Sequence, residues 1–64
     1  MSEWDRYEYG WGEYWARRLD RVITEDMEGL GFRRVLVADS HTERERLIAE
    51  QDTLDRRYQG SNHG

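Results

Sequence analysis

The densest group of reactive side chains is Asp39-Ser40-His41, followed by Glu43 and Glu45. Asp39, His41 and either glutamate offer oxygen and nitrogen ligands to a divalent cation. A loop between a strand and a helix start is also where α/β proteins hold anions. Helix capping accounts for the same residues more simply. Ser40 to Glu43 and Thr42 to Glu45 are two overlapping capping boxes, whose side chains satisfy the free N–H groups of a first turn. Only His41 is left without a capping role. Nucleophilic chemistry is poorly provided for: there is no cysteine, and Ser2, Ser40 and Ser61 lack a histidine-and-acid setting. Gly10-Trp11-Gly12 and Gly29-Leu30-Gly31 are turn and cap signals flanked by bulky residues, not a phosphate cradle. The chain is therefore expected to be non-enzymatic, with no catalytic, cofactor or metal site and no small-molecule substrate.

Two residue types remain that act by contact. Six of the eight aromatic residues fall between positions 4 and 15: Trp4, Tyr7, Tyr9, Trp11, Tyr14 and Trp15. Tryptophan, tyrosine and arginine are the residues enriched at binding hot spots. All ten basic residues are arginine, whose flat fork of donors stacks on rings and pairs with carboxylates better than lysine does. A GC-rich genome would give the same bias without any functional cause. Arg17, Arg18 and Arg21, the pair Arg33-Arg34 and the pair Arg56-Arg57 are local basic patches that, with rings nearby, suit single-stranded nucleic acid. Against this, acids outnumber bases by 14 to 10 and the net charge is −4, so neutralisation of phosphates would bind weakly.

The elements that must position these residues read as follows. Residues 1–10 alternate loosely, as a short strand or an extended aromatic-rich arm. Over residues 11–28 the spacing predicts a helix, with Trp15, Leu19, Val22, Ile23, Met27 and Leu30 on one arc and Arg17, Asp20, Arg21 and Glu25 opposite. Gly29 and Gly31 are its candidate stops. Trp15 and Trp11 belong with that core. Trp4, Tyr7 and Tyr9 are the better candidates for a partner. Phe32 to Ala38 reads as a strand with apolar residues on both faces, requiring cover on both sides. The second helix runs from about Thr42 to Tyr58. Its Leu47, Gln51, Leu54 and Tyr58 form a narrow 4-3-4 seam, suited equally to its own strand or to an interface. A polar tail, residues 60–64, is expected to be disordered.

Arg34-Val35-Leu36-Val37-Ala38-Asp39-Ser40-His41 resembles the opening strand and acidic loop of bacterial response-regulator receiver domains. That resemblance implies a magnesium site of paired acids. Ser40 stands where the second acid would be, and 64 residues leave no room for the remaining strand–helix units, so a receiver domain is excluded.

The expected fold is a small single α+β domain: arm or short strand, helix, strand, helix. Residues 11–59 form its core, and its sheet is completed by the N-terminal segment or by a second chain. A chain of this length buries only about 60% of its unfolded surface. With no disulfide or structural zinc available, oligomerisation or docking on a larger body is the expected source of further stability. The expected function is non-catalytic protein–protein interaction or assembly, of the kind performed by bacteriophage accessory proteins. These act as a minor component of the particle or as a modulator of a host factor. The alternative is a weak, arginine-mediated nucleic-acid-binding regulator. Partner contacts are expected from Trp4, Tyr7, Tyr9, Trp11, Arg17, Arg18, Leu47, Leu54 and Tyr58. No basic-then-apolar leader or membrane-length apolar run is present, so the expected location is the bacterial cytoplasm or the virion.

Overall fold

The computed structural model describes residues 2–61, with side chains described from Ser2 to Tyr58. Strand β1, Trp4–Tyr9, and strand β2, Glu13–Arg18, form an antiparallel hairpin in which Tyr9 faces Glu13 and Trp4 faces Arg18. Its three-residue loop closes through the Gly12 N–H, which donates to the Tyr9 carbonyl at 3.1 Å. Gly12 has φ +89°, the left-handed conformation that a turn of this length places at its last residue.

The helix expected over residues 11–28 is therefore corrected. The spacing of Trp15, Leu19, Val22 and Ile23 imitates a helical arc, but residues 13–18 alternate between the two faces of a sheet. Aromatic residues favour that pleated surface. Leu19 and Leu30, assigned by the arc to the core, are exposed, and Val22 is 83% exposed. What survives of the first helix is α1, Glu25–Gly29. Thr24 caps it by accepting from the Met27 N–H at 3.3 Å. The Phe32 and Gly31 N–H groups then donate back to the Met27 and Glu28 carbonyls at 3.1 Å each. This is a Schellman stop, with Gly31 at φ +108°.

Strand β3, Val35–Ala38, pairs antiparallel with β2, so the sheet order is β1-β2-β3. The N-terminal segment completes the sheet, and pairing alone requires no second chain. Helix α2, His41–Ser61, begins at Ser40, whose hydroxyl accepts from the Glu43 N–H at 3.1 Å. Gly60 and Ser61, the start of the tail expected to be disordered, belong to α2 instead, and the rest of that tail, from Asn62 onward, lies outside the described residues.

The pairing register sorts the strands into two faces. Trp4, Arg6, Tyr14, Ala16, Arg18, Leu36 and Ala38 share the face under α2, and Asp5, Tyr7, Tyr9, Glu13, Trp15, Arg17, Val35 and Val37 share the other. The first half of α2 packs Leu47 and Ile48 onto Trp4, Ala16 and Leu36. Ala16 is completely buried; its methyl group lets the helix approach the sheet. The second half of α2 packs Leu54 and Tyr58 onto Ile23, Met27 and Phe32. The 4-3-4 seam of α2 thus turns inward onto its own chain. Its one polar member, buried Gln51, accepts from the Arg33 N–H at 3.0 Å and donates to the Gly31 carbonyl at 3.1 Å, which fixes the approach to β3.

Candidate functional site

The face of the sheet away from α2 carries a cluster of four rings. Tyr7 and Trp15, cross-strand partners, lie nearly parallel with centroids 5.9 Å apart. Tyr9 stands edge-on to both, at 5.8 Å from Tyr7 and 5.7 Å from Trp15. Trp11, carried by the hairpin loop, lies flat on Tyr9 at 4.7 Å and 4°. Such pairs add about 0.5–1.5 kcal/mol each beyond their area burial, so the rings hold one another in place without a covering element. Trp11 is nonetheless 71% exposed.

Glu13 ties the cluster together. Its carboxylate accepts from the Trp15 indole N–H at 3.0 Å. Hydrogen bonding from the Trp11 indole, then from Trp15, holds the Glu13 carboxyl below its ordinary range. Asp5 and Arg17, facing each other across the hairpin, close the far end of the face with a loose exposed ion pair at 3.6 Å. Val35 and Val37 of β3 extend the face sideways as exposed aliphatic surface. The result is a rigid, half-polar platform with an apolar flank.

The structure divides the residues expected to bind a partner. Tyr7, Tyr9, Trp11 and Arg17 lie together on the open face. Trp4 is buried under α2 with its indole N–H on the Ser2 hydroxyl at 2.7 Å, and Trp11, expected in the core, takes the exposed position instead. Arg18 is buried: its Nε donates to Asp20 at 2.8 Å, its Nη2 to Asp55 at 3.2 Å, and its guanidinium lies over the Trp4 ring at 5.5 Å. Burial opposes the Arg18 charge, but the Asp20 hydrogen bond and the two carboxylates outweigh it, so its pKa is raised. Leu47, Leu54 and Tyr58 are half-buried against the two core clusters. Trp15, Val35 and Val37 are open-face residues that the helical reading of 11–28 and the two-sided cover expected for β3 had assigned to the interior. The signal that could have placed Trp15 was Gly10-Trp11-Gly12 as a hairpin loop, which sets the parity of the strand after it.

The other candidates resolve into structural roles. Arg17, Arg18, Arg21 and Arg34 border one cavity of about 430 Å³, yet each has a carboxylate within ion-pair distance: Asp5, Asp20 with Asp55, Asp55, and Glu28 respectively. The cavity is an internally neutralised network, not a free cationic site. Ser40 is a helix cap, and among the described residues no group of three or more histidine, aspartate or glutamate side chains is placed to share a metal ion. No helix among the described residues is long and apolar enough to cross a membrane. Comparison with protein-family models, with curated proteins and with solved structures returned no match to this chain.

Proposed function

We propose that this chain is a non-catalytic protein–protein interaction module that engages its partner through the open aromatic face of its sheet. The observation that carries the reading is Trp11, mostly exposed yet held flat on Tyr9 within a four-ring cluster. A large ring already fixed in one orientation loses little conformational entropy on binding, which is what makes such residues effective anchors. Asp5, Glu13 and Arg17 give the face a mixed polar rim, the composition of a protein interface. Nucleic acid is the weaker reading, because the arginines beside the rings are matched by carboxylates and phosphate neutralisation would have to break those pairs. The all-arginine basic set supports placing the module among bacteriophage accessory proteins. It would act in the bacterial cytoplasm or in the particle, as a minor component or a modulator of a host factor.

The test compares the wild-type chain with the Tyr9→Ala/Trp11→Ala variant in affinity capture from the producing cell, after circular dichroism has shown both to be folded. The expected result is one protein retained in stoichiometric amount by the wild type and lost with the variant. Retention of the same protein by both chains overturns the reading, and so does retention of nothing but further copies of the chain. Salt-sensitive retention of nucleic acid in its place supports the alternative.

A further inference from the structure

The two edges of the sheet are not equivalent. Adjacent antiparallel residues alternate between pairs that exchange hydrogen bonds and pairs that do not. The Arg18 N–H donates to the Arg34 carbonyl at 2.9 Å, so in the β2–β3 register Leu36 and Ala38 also turn their backbone groups toward β2. Val35 and Val37 therefore turn theirs outward. No strand among the described residues covers that side. The β1 edge carries Asp5, Arg6 and Glu8, the charges by which natural sheets block unwanted pairing. The β3 edge reads Val-Leu-Val-Ala, with no charge and no proline. Beside it, a groove of about 380 Å³ lies between β3 and α2, lined by Val35, Leu36, Val37, Leu47, Glu50 and Gln51 among others.

We infer that the free edge of β3 is a homodimer interface, joining two copies antiparallel into a six-stranded sheet in the order β1-β2-β3-β3′-β2′-β1′. The occupant follows from the sequence around the edge. With Leu36 on the two-fold axis, Val35 of each copy faces Val37 of the other. This centring pairs the outward-facing residues of the two strands only with one another, giving four hydrogen bonds. The same register places Arg33 opposite Asp39 of the second copy, at both ends. Arg33 and Asp39 flank β3 at the parity of Val35 and Val37, so the strand with its flanks offers a plus–apolar–apolar–minus row that is complementary to itself when reversed. An isologous interface requires that property. Asp39 forms no ion pair among the described side chains, and the Arg33 guanidinium donates only to backbone carbonyls, of Phe32 at 3.0 Å and Glu28 at 3.4 Å. A two-fold axis perpendicular to the sheet keeps both ring clusters on one face and brings both α2 helices together on the other, enclosing the two grooves. The edge is distinct from the ring face, so this inference and the proposed function can fail separately.

The experiment is sedimentation of the full chain across the micromolar range. The wild type is expected to be a dimer. Val37→Pro removes an outward N–H that the chain's own sheet does not use and is expected to give a folded monomer. Arg33→Asp and Asp39→Arg each set like charges face to face at both ends, and each is expected to weaken the dimer about tenfold. An equimolar mixture of those two variants is expected to recover wild-type strength, because every cross-axis pair then joins opposite charges. The mixture decides the matter even if the proline variant does not fold. A wild type that is monomeric throughout overturns the inference, as does a dimer unaffected by the charge variants. So does a dimer abolished by Tyr9→Ala/Trp11→Ala, which would put the contact on the ring face.

Discussion

The face of the sheet under α2 and the face α2 leaves open are made by the same strands, yet the bulkier apolar side chains lie mostly on the open one. Under the helix are Ala16, Leu36 and Ala38 with two rings, buried Trp4 and half-buried Tyr14, and the buried Arg18. On the outside are Tyr7, Tyr9, Trp15, Val35 and Val37. The apolar line of α2 facing the sheet is short, essentially Leu47 and Ile48, and its flanks are charged. A helix of that kind seals a sheet only by close approach, which favours small side chains at the centre and paired charges at the margins. Arg6 to Glu45, with Nε 3.0 Å from Oε2, and Arg44 over Tyr14 at 5.6 Å are such margins. Tyr7, Tyr9, Trp11 and Trp15 lie outside that cover and pack on one another instead. The covered face thus makes stability, and the open face is free to make contacts.

That division breaks if two tryptophans of the hairpin behave alike. Trp4→Ala removes a buried ring together with its contact to Arg18, and about 3–5 kcal/mol of stability is expected to go with it. In a domain whose total is about 5 kcal/mol, that leaves much of the chain unfolded. Trp11→Ala removes a ring of the same size from the open face and is expected to cost less than about 1 kcal/mol, the value of its stacking on Tyr9. Urea denaturation monitored by circular dichroism measures both. Equal losses would mean that the ring cluster belongs to the core.

A second comparison sets the ionic margin of the covered face against its apolar centre. Asp55 accepts from both Arg18 and Arg21, at 3.2 and 2.8 Å, and only 1% of the Arg18 side chain is exposed. Arg18 Nη1 already has no partner. Asp55→Ala leaves the Arg18 guanidinium held by Asp20 alone and is expected to cost about 2 kcal/mol, since removing one member of a buried ion pair strands the other. Arg18→Met combined with Asp55→Leu is expected to recover most of that loss. If the double variant is no better than Asp55→Ala, the charges are doing more than tolerating burial.

The sequence made some of this legible and hid the rest for identifiable reasons. The β3 strand, the Ser40 cap, the glycine stop at Gly31 and the start of α2 all follow from local chemistry, and each is present; α2 runs on to Ser61, past the Tyr58 end expected for it. The α+β class followed from them. The hairpin was hidden because its inward-facing positions include Arg18, a charge where alternation calls for an apolar residue, while Trp15, Leu19, Val22 and Ile23 fall by coincidence on a helical arc. Arg18 reads as surface until Asp20, Asp55 and Trp4 are brought around it, and Asp55 lies 37 positions away. The ring cluster was visible as a crowd of aromatics. Which of them faced outward depended on strand parity, and parity depended on recognising Gly10-Trp11-Gly12 as a hairpin loop.

The smallest expected effect concerns acid, and it separates the margin anchored on buried Arg18 from the margin whose two partners are both exposed. Hydrogen bonding from Arg18 is the largest influence on Asp20. It outweighs burial and, with the Arg18 charge, holds the carboxyl below its ordinary 3.8. The unfolded chain therefore takes up this proton at a higher pH than the folded one. The stabilisation is complete above about 3.8 and is lost as pH falls through the lower folded value. Glu45 is held down in the same direction, chiefly by Arg6, but that pair stands in solvent and is screened by salt. Melting temperature is expected to hold down to about pH 5 and to fall as the pH drops further, past the ordinary values of 4.5 and 3.8 and through the lower folded ones. Asp20→Asn should flatten part of that fall at any ionic strength, by an amount below about 1 kcal/mol. Glu45→Gln should flatten it measurably only in low salt. If both substitutions respond alike to added salt, the Arg18 network is as open to water as the Arg6 pair, and the contrast between a sealed and an open margin is lost.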